Sequence, residues 1–263
     1  MNQAAPQTVN QPAGEPMNNN SAVKAMILAA GRGERMRPLT DHCPKPLLPV
    51  RGKALIDWHA EALARGGVNE LVINTAWLGE KISSHFDLLR NQDGHYLLSI
   101  SYSHEGADFG DALETAGGVA RALPLLGDVF WVLAGDVFVP GFEFSPAAVN
   151  RFEASGHLAH LWLVPNPAHN PRGDFGLDAD GLALNPAADD AAPRYTYSTI
   201  GLYRRAFFDA LPAGNPQGIK AALAPLLRAA MERQQVSAEL YLGDWTDVGT
   251  PARLAELNQT LTN

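Results

Sequence analysis

One segment near the start of the chain concentrates the residue types that bind anions. Residues 28–50, LAAGRGERMRPLTDHCPKPLLPV, place two glycines directly after an apolar run and then add four cations. Glycines without a Cβ let backbone N–H groups converge on one point, and guanidinium groups match the geometry of phosphate oxygens. The spacing therefore predicts a phosphate-binding loop in which Gly31 and Gly33 supply amides while Arg35 and Arg37 supply charge.

The loop is not one of the two common phosphate-binding motifs. A Walker A loop requires Gly-Lys-Ser/Thr after its glycines, and the dinucleotide motif requires a glycine where this chain has Met36. Lys45 stands between Pro44 and Pro46, which fix the backbone that carries its ammonium group. Turn glycines and a lysine between prolines are each also typical of plain surface turns. Only their combination with the arginines indicates a polyphosphate site.

Two aspartates are candidates for holding a metal ion. Asp136 ends the apolar run FWVLAGD, and Asp247 lies in WTDVGTP far along the chain. Mg²⁺ prefers carboxylate oxygens together with phosphate oxygens and water, so two such aspartates beside a phosphate loop suit it. A turn aspartate and a helix-capping aspartate are the alternative interpretations.

An alternation of strands and helices must position these groups. Apolar runs bounded by turn residues predict strands in VKAMILAA, ELVINTA, LLSISYS and VFWVLAGD, and helical periodicity predicts ALIDWHAEALARGG, LGEKISSHF and LETAGGVARALPLL between them. Such alternation is typical of an α/β domain with a mostly parallel sheet, whose ligands bind beyond the carboxyl ends of the strands. The second half is more mixed, with strands in HLAHLWLVP, YTYSTIGLYRR and VSAELYLG and helices near 219–233 and 251–260.

Composition narrows the class of protein. The 263 residues carry a net charge of −8 and one cysteine, Cys43. This charge argues against nucleic acid or an anionic membrane as the main partner, and a lone cysteine fits the reducing cytoplasm. No run approaches the ~18 apolar residues of a transmembrane helix. Residues 1–22 are rich in Asn, Gln, Pro and Ala and predict a disordered extension before one domain at 23–263.

The loop resembles the signature of the sugar-1-phosphate nucleotidyltransferases, L-A-[AG]-G-x-G-[TE]-R-[LM]-x-P-L-T followed by P-K-P. The resemblance implies a Rossmann-like fold with a mixed, mostly parallel central sheet flanked by helices. It also implies that Arg35 holds a nucleoside triphosphate and that Lys45 approaches the sugar phosphate and the reacting α-phosphate. LAGD and W-x-D-x-G-T match the family's metal aspartates, so Asp136 and Asp247 are expected to bind Mg²⁺.

The same resemblance implies where the base and the sugar bind. The expected nucleotide-binding positions are Leu28, Ala30, Gly31, Gly33, Glu105 and Gly117. The expected sugar-binding positions are Gly176, Asn185 and Thr199. The alignment at Glu105 is disturbed by what looks like an inserted ADFGD. Many relatives also carry an E-K-P triplet that this chain lacks, and Asn185 falls roughly in its place.

A narrower resemblance concerns the substrate. INTAWLGEKI, NPAHNPRGDFGLDADG and VSAELYLGDWTDVGTPARL are similar to the uridylyltransferases that act on N-acetylmuramate α-1-phosphate in bacterial cell-wall recycling. This similarity implies UTP and N-acetylmuramate 1-phosphate as substrates, and UDP-N-acetylmuramate and pyrophosphate as products. The chain ends one helix after Asp247, so we expect no C-terminal left-handed β-helix.

Alternative functions stay open at this point. Within the same family, the chain would be a mannose- or heptose-1-phosphate guanylyltransferase, or a glucose-1-phosphate thymidylyl- or uridylyltransferase. From another class, it would be a non-catalytic subunit that senses nucleotide sugars, although such a subunit has no need of all four of Arg35, Lys45, Asp136 and Asp247. The sequence does not choose between a monomer and a homodimer.

Overall fold

The computed structural model describes residues 23–93, 98–187 and 190–259. The predicted disordered extension at 1–22 lies outside these residues. These described ranges contain thirteen strands: β1 Lys24–Leu28, β2 Pro49–Val50, β3 Lys53–Ala54, β4 Glu70–Thr75, β5 Ser99–His104, β6 Val129–Ala134, β7 Val137–Phe138, β8 Ala159–Val164, β9 Gly176–Leu177, β10 Ala183–Leu184, β11 Thr196–Arg204, β12 Val236–Leu240 and β13 Thr246–Asp247. Seven α-helices accompany them: α1 Leu55–Arg65, α2 Gly79–Asp93, α3 Glu105–Phe109, α4 Glu114–Ala122, α5 Pro146–Ser155, α6 Leu223–Glu232 and α7 Pro251–Gln259.

Seven of the strands form one central sheet in the order β12-β8-β11-β6-β1-β4-β5. The neighbours β6, β1, β4 and β5 are parallel, as are β12 and β8. Only β11 runs antiparallel to both of its neighbours. The predicted mixed, mostly parallel α/β sheet is therefore confirmed, and the described residues contain no β-helix.

The sheet is covered on both faces because its central strands are apolar on both sides. In β1, Ala25 and Ile27 pack into one core cluster while Met26, between them, packs into another. The first cluster includes Ile56 and Leu63 of α1 and the second includes residues of α4 and α6. Full coverage of this kind is what permits a parallel sheet, whose strands are then continuous apolar runs. None of the helices in the described ranges has the length and apolarity needed to span a bilayer.

The strand register fixes one functional edge. Leu28 at the end of β1 pairs with Ala134 at the end of β6 and with Asn74 near the end of β4. The carboxyl ends of three neighbouring parallel strands thus meet, and the chain segments that follow them converge there.

Several element boundaries differ from the sequence predictions. The helix predicted over 219–233 begins only at Leu223, because the preceding segment is tied to α4 by Ala116 N–H donating to the Ala221 carbonyl and Ala221 N–H donating to the Leu113 carbonyl. Helix α5 was not predicted, although Ser145 caps it by accepting a hydrogen bond from the Ala148 amide. The sequence also gave no sign of the β9–β10 hairpin.

Candidate active site

A cavity of about 410 Å³ lies at the carboxyl ends of β1, β4 and β6. Its wall contains most of the residues predicted to bind nucleotide and phosphate: Leu28, Ala30, Gly31, Gly33, Arg35, Lys45, Glu105 and Asp136. The cavity thus lies where ligands usually bind in α/β proteins, beyond the carboxyl ends of the parallel strands.

The predicted phosphate loop consists of short 3-10 turns that hydrogen bonds and core packing hold in place. Gly33 has a φ of 68°, a left-handed conformation that favours glycine, and its carbonyl accepts hydrogen bonds from the Thr40 hydroxyl and the Met36 amide. A Cβ at Gly33 would lie 3.0 Å from a methyl carbon of Thr40. Met36 is fully buried in a core cluster with Leu55 and Phe138. The loop is therefore held in shape by contacts within the described residues.

The four cations of the loop divide into two pairs. Arg32 and Arg37 both donate to Oδ1 of Asp41, at 3.1 and 2.7 Å, which holds the pKa of the Asp41 carboxyl below its usual range. Arg32 also stacks on Trp77, with its guanidinium carbon 3.8 Å from the ring centroid. The prediction that Arg37 supplies charge to a phosphate is therefore not supported, because Asp41 engages it outside the cavity.

Arg35 and Lys45 form the other pair. Arg35 is exposed, lines the cavity, and forms no hydrogen bond or ion pair with the described residues. Lys45 is only 7% exposed, and its Nζ lies 2.6 Å from Oδ2 of Asp136. A buried ammonium and an unpaired guanidinium thus face the same cavity from one loop, which gives it the charge that a polyphosphate requires.

Asp136 and Asp247 come together although 110 positions separate them. Strand β13 pairs with β7, so that Asp247 lies opposite Val137, and the Val248 amide donates to the Asp136 carbonyl. Both aspartates, together with Arg35, line a small cavity of about 290 Å³. The predicted convergence of two distant carboxylates is therefore what the topology produces.

Each aspartate is paired with a cation of the chain. Lys45 holds Asp136, and Arg253 donates from Nη1 to both Oδ2 and the backbone carbonyl of Asp247, at 2.7 and 2.9 Å. His169 Nε2 lies 3.4 Å from Oδ2 of Asp247 and 3.2 Å from Nη1 of Arg253. Arg253 and His169 were not among the residues predicted for the site. Arg253 stands six positions after Asp247 in α7, and that proximity was the available signal.

The two aspartates are the residues that would hold a Mg²⁺ ion in this small cavity. Within the described ranges there is no group of three or more His, Cys, Asp or Glu side chains arranged to hold a metal ion. Mg²⁺ is commonly bound by one or two carboxylates plus substrate phosphates and water, so a two-carboxylate cavity beside a phosphate loop fits this chemistry. The structure does not test Mg²⁺ binding itself, which stays a prediction.

Glu105 supports the cavity from beneath. It is fully buried, its Oε1 accepts from Asn74 Nδ2 at 2.6 Å, and its Oε2 accepts from the Leu113 amide at 2.7 Å. Asn74 Oδ1 in turn accepts from the Ala29 amide. Burial raises the pKa of the Glu105 carboxyl, and the two hydrogen bonds oppose that rise. Glu105 thus lines the cavity, and its visible role is to hold Asn74 and the end of β1, while its contact with the nucleotide stays a prediction.

A second cavity of about 550 Å³ adjoins the first and shares Leu28, Glu114, Thr115 and Ala134 with it. Thr199, one of the predicted sugar-binding residues, lines this cavity and the small cavity beside the aspartates. The small cavity therefore shares Asp136 with the first cavity and Thr199 with the second. A long substrate pair can lie across them, with its reacting atoms near the aspartates.

Three predicted contacts lie away from these cavities. Gly117 faces the backbone of Ile219, whose carbonyl oxygen would be 2.4 Å from an added Cβ, so its small size makes room for protein rather than for a base. Gly176 is buried in the β9–β10 hairpin against Pro186, and Asn185 is exposed. None of the three lines a described cavity, and their roles in binding stay predictions.

Known proteins are similar to this chain over most of its length. A family model described as nucleotidyl transferase matches residues 24–263. The chain is 48% identical to the N-acetylmuramate alpha-1-phosphate uridylyltransferase of Neisseria meningitidis serogroup B, covering 89% of this chain and 96% of the relative. It is 32% identical to the protein of the same name from Caulobacter vibrioides, covering 88% of this chain and 97% of the relative.

A solved structure shares the fold. It is a Bacillus anthracis protein described as a glucose-1-phosphate thymidylyltransferase, in complex with sucrose, and it superposes with a TM-score of 0.71 at 20% sequence identity. The match covers 91% of this chain and 95% of the other. At this identity the similarity establishes the fold and nothing finer.

Proposed function

This chain belongs to the nucleotidyl transferase family, and we propose that it transfers a uridylyl group from UTP to N-acetylmuramate α-1-phosphate. The products are UDP-N-acetylmuramate and pyrophosphate. The 48% identity to a relative of that name over 89% of the chain supports the choice of substrates. The observation that carries the reaction type is that Arg35 and Asp136 line both the 410 Å³ cavity and the small cavity to which Asp247 also belongs.

The chemistry needs no general base. A phosphate monoester has its second pKa near ~6, so the sugar phosphate is already a nucleophilic dianion at neutral pH. One of its oxygens attacks the α-phosphorus of UTP, the bond between that phosphorus and the α–β bridging oxygen breaks, and pyrophosphate leaves with the electron pair. The activation barrier then comes from the repulsion between two polyanions and from the need to align the nucleophile with the leaving group.

The cations of the loop address that repulsion. Arg35 is placed to bind the leaving polyphosphate, because it is exposed to the cavity and has no partner among the described residues. Lys45 is placed to bind the attacking phosphate and the α-phosphate, and its burial keeps competing water away. When phosphates enter, Lys45 exchanges its single contact with Asp136 for charge-assisted hydrogen bonds to them. Preorganised charges of this kind typically account for the largest part of the rate.

Asp136 and Asp247 would hold Mg²⁺ in the proposed enzyme. When bound, the ion neutralises phosphate charge and orients the oxygens that it ligates. Before phosphates and the ion bind, Lys45 and Arg253 hold the two carboxylates in place. A single cysteine fits action in the cytoplasm, where UTP is made, and the product would return cell-wall sugar to nucleotide-activated form.

Pyrophosphate release tests the proposal. Four nucleoside triphosphates are combined, with Mg²⁺, with the 1-phosphates of N-acetylmuramate, N-acetylglucosamine, glucose and mannose. We expect turnover to be fastest for UTP with N-acetylmuramate 1-phosphate. Faster turnover of another pair would retain the mechanism and refute the substrates. Nucleotide binding without any turnover would refute the enzyme and favour a regulatory subunit.

A further inference from the structure

The cavity that adjoins the nucleotide cavity has a largely apolar wall. Its volume of about 550 Å³ falls within the usual range of ligand pockets, roughly 300–1,000 Å³. The apolar lining comes from β6, from the segment before β9 and from α6, and it comprises Val132, Phe175, Leu223 and Leu227. Walls of this kind suit the faces of a sugar ring and an acetamido methyl group. The few charged groups present would then determine which charged ligands bind.

The charged groups of this cavity are not equivalent. Asp174 is engaged within the protein, because its Oδ2 accepts from the Tyr197 amide and its Oδ1 accepts from Asn170 Nδ2. Glu114 lies on the wall shared with the nucleotide cavity. Arg228 lines the cavity, is exposed, and forms no hydrogen bond or ion pair with the described residues. Its guanidinium is therefore available to an anion in the ligand.

Arg228 is carried by a firmly packed helix. Its neighbour Leu227 is 1% exposed and lines the same cavity, and Ala230 and Met231 of α6 are buried in the core cluster below. Charged groups on rigid elements bind with little loss of backbone entropy. Arg228 thus offers the fork of a guanidinium at a fixed place on the cavity wall.

Arg228 lies outside the phosphate machinery. Arg35 and Lys45 line the nucleotide cavity, and neither lines this one. The anion that Arg228 meets is then a group on the sugar rather than the 1-phosphate. N-acetylmuramate differs from N-acetylglucosamine by a lactyl ether on O3, which ends in a carboxylate. Guanidinium groups pair with carboxylates through two parallel hydrogen bonds.

We propose that Arg228 binds the lactyl carboxylate and is the specificity-determining residue that favours N-acetylmuramate 1-phosphate over sugars without this group. The inference rests on the proposed function, since it assumes a sugar 1-phosphate in this cavity. Asp174, which is already hydrogen-bonded, and Glu114, which also lines the first cavity, carry negative charge, so Arg228 is the group of this cavity that attracts a further carboxylate. A neutral sugar gains nothing from the arginine.

The test measures kcat and KM for both sugars with UTP, in the wild type, Arg228→Gln and Arg228→Lys. A charge-assisted hydrogen bond is worth enough that we expect Arg228→Gln to raise KM for N-acetylmuramate 1-phosphate about 10- to 100-fold with little change in kcat. The ratio of kcat/KM for the two sugars should fall by a similar factor. Arg228→Lys should recover part of it, since charge returns without the fork.

Arg233→Gln is the matched control, because Arg233 follows α6 and bonds Gln235 away from the cavity. Unfolding midpoints of all variants are measured alongside. A KM and a sugar ratio that stay within twofold of the wild type in Arg228→Gln would overturn the inference. Absence of wild-type turnover with either sugar would refute the proposed function instead, so the two failures are distinct.

Discussion

The 410 Å³ cavity proposed for the nucleotide (the nucleotide cavity) and the adjoining 550 Å³ cavity proposed for the sugar (the sugar cavity) are assembled in different ways. The nucleotide cavity takes more than half of its lining residues from one continuous stretch, residues 28–46, and the rest from short pieces at residues 74, 105, 112–115, 134–136 and 249. The sugar cavity takes its wall from at least four separate segments, around residues 114, 132, 174–199 and 222–228. The nucleotide cavity is lined by charged groups on a loop that its own hydrogen bonds hold in shape. The sugar cavity is largely apolar, and its Arg228 has no partner among the described residues.

This difference has a physical origin. Phosphate groups are common to every nucleoside triphosphate, so a loop that binds them needs the same few donors in the same close arrangement. A sugar is distinguished by the positions of its substituents, which are contacted by side chains brought together from distant segments. Reaction type is therefore encoded locally here, and substrate choice is encoded by tertiary packing.

The largest effect should come from Lys45, which links the loop to Asp136. Lys45→Met removes the buried ammonium and leaves Asp136 without its partner, and we expect kcat/KM to fall about 1,000-fold. Lys53→Met is the control, since Lys53 forms an exposed pair with Glu61 outside the site. Steady-state pyrophosphate release provides the measurement. A loss smaller than tenfold in Lys45→Met would place the reacting phosphates elsewhere.

Two arginines of the loop should differ in their importance for the reaction. Arg35→Ala should lower kcat/KM about 100-fold, because an unpaired guanidinium in the cavity is lost. Arg37→Ala removes a side chain that Asp41 holds at the surface, and we expect less than a threefold change. Titration of UTP in both variants provides the check. Equal losses would show that the Asp41 pair opens during turnover.

Two glycines separate packing from ligand access. A Cβ at Gly118 would lie 2.5 Å from Oε1 of Glu105, whereas one at Gly31 would meet nothing within 4 Å. We expect Gly118→Ala to lower the free energy of unfolding by about 2 kcal/mol, because the clash outweighs a helix-propensity gain of at most about 1 kcal/mol.

Gly31→Ala should leave stability within about 0.5 kcal/mol of the wild type. It should nevertheless raise KM for UTP, since the new methyl group would occupy the cavity wall. Denaturant unfolding and kinetics distinguish the two effects. A large loss of stability in Gly31→Ala would contradict the open geometry of the loop.

The smallest effect concerns the orientation of Asp247. Arg253 holds both the carboxylate and the carbonyl of this residue, so Arg253→Gln should lower kcat about tenfold by freeing the side chain to rotate. The Mg²⁺ concentration that gives half-maximal rate is measured in the same assay, with Arg65→Gln as a surface control. An unchanged rate across the Mg²⁺ titration would remove Arg253 from the site.

Several parts of this architecture were predictable because their signals are local. Apolar runs such as VFWVLAGD determine buried parallel strands by length and composition, and helical spacing determines α1 and α4. The start of α6 was predicted too early because Ile219 extends the helical period of apolar residues, while tertiary hydrogen bonds hold the segment before Leu223 against α4. Trp77 is half-buried and stacks against the Arg32 guanidinium, a contact that depends on tertiary neighbours.

The sequence by itself determined the α/β class, the phosphate loop with Arg35 and Lys45, and the candidate aspartates Asp136 and Asp247. Each of these depends on residue types at short spacing, which the chain displays without folding. The tertiary structure was needed to show that Glu105 holds Asn74, that Gly117 makes room for the backbone of Ile219, and that Arg228 lines the same cavity as Val132 and Phe175. Those outcomes depend on which distant segments become neighbours, and only strand register and helix packing determine that.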